Sequence, residues 1–191
     1  YEFCYQPTLW PKIDGFRQIW ERYYAEMEHL AKRIMAAFAE ALGLEKSYFD
    51  RFINNPISAL RALHYPETKD VIIDRQQRAG AHTDYGSLTI LLPQAGTSGL
   101  QIKKKNTWVD VPALEGCFVI NIGDLMELWT AKRWKSTLHR VVAKPNQPVR
   151  RSLAYFHQPD WEASIKPIST SSSEAVVSGP YLMEKFKSTN L

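Results

Sequence analysis

The sequence predicts a mainly β fold with flanking helices (α+β), and three observations lead there. One long amphipathic pattern occupies residues 16–42, and short strand-like segments punctuated by turn residues fill 58–160. Neither an internal repeat nor a long linker divides those segments, so all 191 residues are expected to form one domain. Its parts are a lead-in with helices over 1–57, a β core over 58–160 and a C-terminal tail with a helix over 161–191.

In order along the chain, Pro7, Pro11 and Gly15 lie among aromatics and read as an irregular lead-in. Asp14 is placed to cap the helix that follows. Apolar residues then recur at Phe16, Ile19, Tyr23, Met27, Leu30, Ile34, Phe38 and Ala41, steps of three and four that mark one helical face. Gly43 ends this helix as a residue free to adopt the left-handed conformation. The charges Glu21, Arg22, Glu28, Lys32 and Arg33 lie on its other faces, so it is expected to cover a sheet, with His29 at the surface. Ser47 with Asp50 has the spacing of a capping box for a short helix over 48–53.

After Pro56 strands are expected at 59–65, 71–74, 79–82, 87–92, 100–103, 108–111, 118–122, 138–142 and 151–157. Breaks fall at Pro66, Gly86, Pro93, Pro112, Gly116, Gly123 and Pro145. Short strands at this spacing predict a sandwich, jelly roll or barrel rather than a βαβ sheet. Ser169 to Ser173 is expected to be a flexible surface segment, and 181–187 a terminal helix.

Composition narrows the function classes. Lys and Arg total 24 against 20 Asp and Glu, a net charge of +4, which does not make a concentrated basic face for nucleic acid. The run Lys103-Lys104-Lys105 reads as a solvated hairpin tip. Cys4 and Cys117 are the two cysteines, an arrangement that offers neither a disulfide framework nor a thiolate zinc site and fits a cytoplasmic setting. No apolar run approaches a membrane span of about 20 residues, and the start lacks a signal peptide's pattern. The first residue is Tyr1 rather than Met, so residues preceding it are expected.

The chemistry centres on His82-Thr83-Asp84, followed by Gly86 and the apolar run 88–92. In extended backbone, residues two apart share a face, so His82 and Asp84 can address one metal ion. On a later strand, alternation puts Thr137, His139 and Val141 on one face. Two imidazoles and a carboxylate would fill one face of an octahedral metal and leave the opposite positions open, as in non-haem Fe(II) oxygenases. A hydrogen-bonded core histidine is the plainer reading of His139 taken alone. On the last strand Arg150, Ser152, Ala154 and Phe156 share a face. An inward arginine requires an anion, and Arg150 with Ser152 can grip one carboxylate together. A surface salt bridge suits Arg151 instead.

This order, His-x-Asp, a second His, then Arg-x-Ser, resembles the 2-oxoglutarate/Fe(II)-dependent dioxygenase superfamily, and within it the isopenicillin N synthase-like branch. Asn121-Ile122-Gly123-Asp124, Trp129-Thr130, the stretch from Lys135 to Val141, and Trp10-Pro11 also look like blocks of that family, so the resemblance runs from about residue 8 to the C-terminus. It implies a double-stranded β-helix (jelly-roll) core under the long helix, Fe(II) on His82, Asp84 and His139, and 2-oxoglutarate on Arg150 and Ser152. It also implies O2 as co-reactant, succinate and CO2 as products, and hydroxylation, desaturation or cyclisation of a small-molecule substrate. No catalytic residue beyond the metal ligands is implied.

Members often carry Asn-x-Tyr before the metal motif, both side chains contacting 2-oxoglutarate. Here the stretch is Leu63-His64-Tyr65, so Tyr65 remains, the Asn does not, and His64 is expected to point outward. Similar proteins usually have a further N-terminal segment walling the site, which here is absent or lies outside these residues. Phe156 is a candidate substrate contact, Asp124 a candidate turn residue, and His157 is expected to face away from the site. The competing readings are an Fe(II) oxidase of the same branch that does not use 2-oxoglutarate, a catalytically silent β-helix binding module, and, more remotely, a zinc hydrolase.

Overall fold

A computed structural model describes residues 6–68, 77–168 and 174–189. The expected strand 71–74, the segment Ser169 to Ser173, and Cys4 lie outside the described residues.

The lead-in 6–15 is irregular, and its rings pack on the first turns of the helix: Trp10 lies edge-on to Phe16 and Phe16 stacks on Trp20. Helix α1 spans Phe16–Ala41. Its N-cap is Gly15, in the left-handed conformation at φ 74°, and no side chain caps it, which corrects the expectation for Asp14. At the other end Gly43 adopts φ 76°, and the N–H groups of Gly43 and Leu44 donate to the carbonyls of Glu40 and Ala39. This pair of bonds is a Schellman ending.

The buried row of α1 is Met27, Ala31, Met35 and Ala39, flanked by half-buried Tyr23, Leu30, Ile34 and Phe38. The stripe therefore runs one row over from the expected one, and Ile19 is 71% exposed. The small alanines let the helix sit close on the sheet while the larger side chains wedge in at either side. Ser47 caps nothing, and in place of a helix over 48–53 there is a single 3-10 turn, Asp50–Phe52.

The strands are β1 (Ala59–Tyr65), β2 (Gln77–His82), β3 (Leu88–Pro93), β4 (Leu100–Lys104), β5 (Thr107–Asp110) and β6 (Val119–Ile122). A short helix α2 (Asp124–Trp129) follows, then β7 (His139–Val142), β8 (Arg150–His157), β9 (Ser164–Ile165), β10 (Val176–Val177) and α3 (Ser178–Thr189). Among the described residues all pairings are antiparallel. The described strands form two four-stranded sheets, in the orders β1-β8-β3-β6 and β2-β7-β4-β5, with β9 and β10 as a separate ribbon. This is the jelly-roll core with a long covering helix. Lys105 and Asn106 turn the β4–β5 hairpin, Lys105 at φ 53°, so the basic run does end at a hairpin tip.

Strand alternation divides the first sheet into two faces. Leu88, Ile90 and Tyr155 are buried in the core with α1, where Tyr24 meets Tyr155 edge-on at 5.4 Å. Thr89, Leu91, Arg150, Ser152, Ala154 and Phe156 line the cavity between the sheets. Helix α2 adds Leu125, Met126 and Trp129, all fully buried, with Phe49 and Phe52 edge-on to the Trp129 ring. Each such buried side chain stabilises the fold by about 1.5–3 kcal/mol.

Gly86 and Gly123 are required by close approach of backbone at the site. A Cβ on Gly86 would stand 2.2 Å from the His157 carbonyl oxygen, and one on Gly123 would stand 2.2 Å from that of Gly86. The loop carrying Asp84 is thereby pressed against both the end of β8 and the entry to α2. No helix among the described residues is long and apolar enough to cross a membrane.

Candidate metal and anion site

β2 and β7 pair with His82 opposite His139, which brings the imidazole rings within 4.3 Å between centroids. Asp84 enters from the loop leading into β3. Its Oδ1 lies 3.9 Å from His82 Nε2 and 3.8 Å from His139 Nε2, and the three potential ligand atoms all lie within 4.8 Å of one another.

Each histidine is fixed by the same local device. His82 Nδ1 lies 2.7 Å from the Gly80 carbonyl and His139 Nδ1 lies 2.8 Å from the Thr137 carbonyl. A carbonyl only accepts, so Nδ1 carries the proton and Nε2 keeps its lone pair toward the shared point.

The carboxylate is fixed by the opposite logic. Thr89 Oγ1 donates to Asp84 Oδ2 at 2.6 Å and Asn121 Nδ2 donates to the same oxygen at 2.7 Å. One oxygen is thus occupied by donors, and Oδ1 is left to face the two imidazoles. The Asp84 side chain is 6% exposed, His139 14% and His82 44%, so His82 stands on the open side. A buried carboxylate beside two lone pairs calls for a cation. Two nitrogens and one oxygen on one side of a point, with the other side open, is a donor set that fits octahedral Fe(II).

A cavity of about 190 Å³ extends from these groups between the sheets. Its deep end is built by β1 against β8, where the register sets Tyr65 opposite Arg150 and Leu63 opposite Ser152. Arg150 is only 3% exposed, its Nη1 has no hydrogen-bond partner, and its guanidinium lies 5.0 Å from the Tyr65 ring centroid. Burial draws the Arg150 pKa below its ordinary value. An arginine remains charged in proteins, so a buried guanidinium that meets Tyr65 but keeps Nη1 without a partner and, among the described residues, has no carboxylate beside it is a place for an anion. Ser152 lies two residues along the same face.

The remaining candidates are placed as follows. Phe156 lines the cavity farther along β8, while Arg151 and His64 are exposed on opposite faces from Arg150 and Tyr65. His157 faces away from the cavity and is 2% exposed, bonded to Ser87 Oγ at 2.5 Å. Burial depresses its pKa to about 4.

Asp124 starts α2 rather than forming a simple turn. Its carboxylate accepts from Thr83 Oγ1 at 3.2 Å and from Lys185 Nζ of α3 at 2.9 Å, and its N–H donates to the Asp84 carbonyl at 2.8 Å. Tyr85, on the same loop, meets Phe186 edge-on and bonds Thr189. Thr89, Asn121 and Lys185 went unmarked as site residues in the sequence. A lone polar residue inside an apolar strand, on the face opposite the core, is the signal for the first two. Lys185 carries no such signal.

Comparison with known proteins places this geometry in context. Residues 56–159 match the family model described as the 2OG-Fe(II) oxygenase superfamily. The chain is 34% identical over 188 residues to the 2-oxoglutarate-dependent dioxygenase thnC of Trichoderma harzianum, covering 96% of this chain and 58% of that protein. It is 36% identical over 173 residues to 1-aminocyclopropane-1-carboxylate oxidase 1 of Oryza sativa subsp. japonica, covering 87% and 53%. Among solved structures, a full-length Neurospora crassa protein in complex with alpha-KG superposes with a TM-score of 0.89 at 35% identity, covering 95% of this chain and 62% of that one. The same Neurospora protein is also known in complex with alpha-KG and thymine. The chain spans less than two thirds of the length of each of these relatives.

Proposed function

The chain belongs to the 2OG-Fe(II) oxygenase superfamily, and from that premise we propose that it is an oxygenase that couples 2-oxoglutarate decarboxylation to oxidation of a small-molecule substrate. His82, Asp84 and His139 would hold Fe(II), and Arg150 with Ser152, beside Tyr65, would hold the far carboxylate of 2-oxoglutarate. When bound, Fe(II), 2-oxoglutarate and O2 supply the oxidising power, with succinate and CO2 released. The observation that carries the reading is one cavity lined both by three metal-ligating atoms facing one point and by a buried guanidinium with an unpaired Nη1.

The protein's own groups bind, orient and exclude water. The two carbonyl-anchored imidazoles and the single free carboxylate oxygen would hold Fe(II) from one side and leave its other side open to the cavity, where the cosubstrate would bind. Arg150, on β8 in the same cavity as the ligand set from β2, β7 and the Asp84 loop, would pair with the far carboxylate of a diacid whose other end reaches the metal. Leu63, Leu91, Val119 and Val141 make most of the intervening wall apolar, which strengthens the electrostatic contacts inside. Phe156 stands where a substrate would meet the cavity. No side chain is required as an acid or base. A cytoplasmic location, where iron and the exposed thiol of Cys117 stay reduced, accords with this chemistry.

Anaerobic addition of Fe(II) and then 2-oxoglutarate should produce a weak visible charge-transfer band that His139→Ala abolishes. Iron that binds without giving the band would overturn the cosubstrate assignment. Oxygen uptake without succinate would point to the oxidase of the same branch that needs no 2-oxoglutarate.

A further inference from the structure

Helix α2 carries two carboxylates three residues apart, Asp124 and Glu127, a spacing that puts them on one face. Asp124 reaches the loop of Asp84, and Glu127 reaches the segment that leads to His139. Glu127 Oε2 accepts from the Ser136 N–H at 2.6 Å, and its Oε1 lies 3.3 Å from Lys135 Nζ. One short helix is thus bonded to the approach of two of the three metal-ligating residues.

The approach to His139 needs such a support. Residues 130–138, between α2 and β7, belong to neither helix nor strand, and Ala131 and Lys132 turn the chain through left-handed backbone at φ 50° and 64°. No repeating ladder sets the path of this connection, yet its Thr137 carbonyl is the group that receives His139 Nδ1–H. Hydrogen bonds weaken steeply with misalignment, so that carbonyl has to be placed closely. The Thr137 N–H makes a long bond of 3.3 Å to the Ile122 carbonyl. Ser136 Oγ is buried without a partner, so among the described residues the polar tie on Ser136 is its N–H, and that N–H goes to Glu127. The Glu127 side chain is 25% exposed against 68% for Lys135. An exposed ion pair is worth little, whereas a short charge-assisted bond to a sheltered N–H is strong, so the bond to Ser136 is the one that holds the segment.

We propose that Glu127 is a positioning residue for the metal site. Through Ser136 it sets the Thr137 carbonyl, which keeps the proton of His139 on Nδ1 and leaves Nε2 as the ligand atom. With Asp124 it makes α2 the common mount of the Asp84 and His139 segments. The inference rests on the proposed function for the identity of the metal, but not for the tautomer of His139.

The test reads the full chain without metal first. Long-range 1H–15N NMR at one mildly alkaline pH reports which ring nitrogen of each histidine carries the proton, and in the wild type His82 and His139 should both carry it on Nδ1. Glu127→Ala should shift His139 toward the other tautomer, leave His82 as it was, and weaken Co(II) binding about tenfold by visible titration. Glu127→Gln still offers an oxygen to the Ser136 N–H and should retain most of both properties, and Lys135→Met should match the wild type. Glu127→Asp, drawn back by one bond of about 1.5 Å, should fall between wild type and Glu127→Ala, and it takes the place of Glu127→Ala should that variant not fold. A wild-type His139 protonated on Nε2, an unchanged tautomer and Co(II) affinity in Glu127→Ala, equal shifts at His82 and His139, or a Glu127→Gln as impaired as Glu127→Ala would each overturn the proposal. Wild-type protein that binds no Co(II) would sink the metal assignment instead, with the tautomer of His139 still deciding the role of Glu127.

Discussion

Arg150 and His157 lie on the same strand, with burial handled in opposite ways. Arg150 keeps its charge and leaves its buried Nη1 without a hydrogen-bond partner on the wall of the cavity, so its replacement should be felt mainly by an anionic ligand. A hydrogen bond to a charged group is worth about 1.5–3 kcal/mol, so Arg150→Met should weaken 2-oxoglutarate binding about ten- to hundredfold while leaving Fe(II) affinity nearly unchanged. Calorimetry on the two ligands separates these outcomes. His157 gives up its charge instead. With its pKa lowered from 6.5 to about 4 by burial, the unfolded chain binds the extra proton first as pH falls. Its contribution is therefore intact above about pH 6.5 and lost as pH drops toward 4, a loss on the order of 3 kcal/mol. Thermal melts across that window should show a falling Tm in the wild type and a shallower slope in His157→Gln. An equal slope in both would exclude His157 as the source.

Among the elements, α3 has the clearest unexpected part. Its Lys185 reaches Asp124, which holds Thr83, and its Phe186 and Thr189 hold Tyr85, so the residues on either side of Asp84 are tied to the C-terminal helix. Groups that orient ligands from behind typically change metal affinity ten- to hundredfold when removed. Lys185→Met, one step further out, should cost about tenfold in Co(II) affinity by visible titration, with Lys185→Arg retaining most of it. Unchanged affinity would show that α3 packs on this loop without ordering it. The tie was illegible in the sequence because Lys185 and Asp124 lie 61 residues apart and neither sits in a periodic pattern. Helix α2 escaped notice for another reason: six residues are fewer than two turns, too few to show a helical period. The described strands of the two four-stranded sheets were legible, since alternation over four to eight residues is their own local property, whereas β9 and β10, two residues each, are too short to show it.

Over the whole molecule the two sheets meet at the site, β2 and β7 bringing the histidines and β1 and β8 bringing Tyr65 and Arg150. Occupying it should therefore brace the core as well as enable chemistry. Fe(II) at a hundred times its dissociation constant stabilises the folded state by about 2.7 kcal/mol, which for a chain of this size raises Tm by roughly 5–10 °C. Differential scanning fluorimetry under anaerobic conditions should show that rise, reversed by a chelator and reduced in Asp84→Ala. By itself the sequence determined the β-rich class, the long helix and its ending at Gly43, and the residues on common strand faces, because those follow from backbone periods of 2 and 3.6 and from glycine's conformational freedom. Only the tertiary structure decided that Thr89 and Asn121 occupy one oxygen of Asp84, that the buried row of α1 runs through Ala31 and Ala39, and that α3 braces the Asp84 loop. Each depends on which distant segments pack together, and nothing local to a segment records its neighbours.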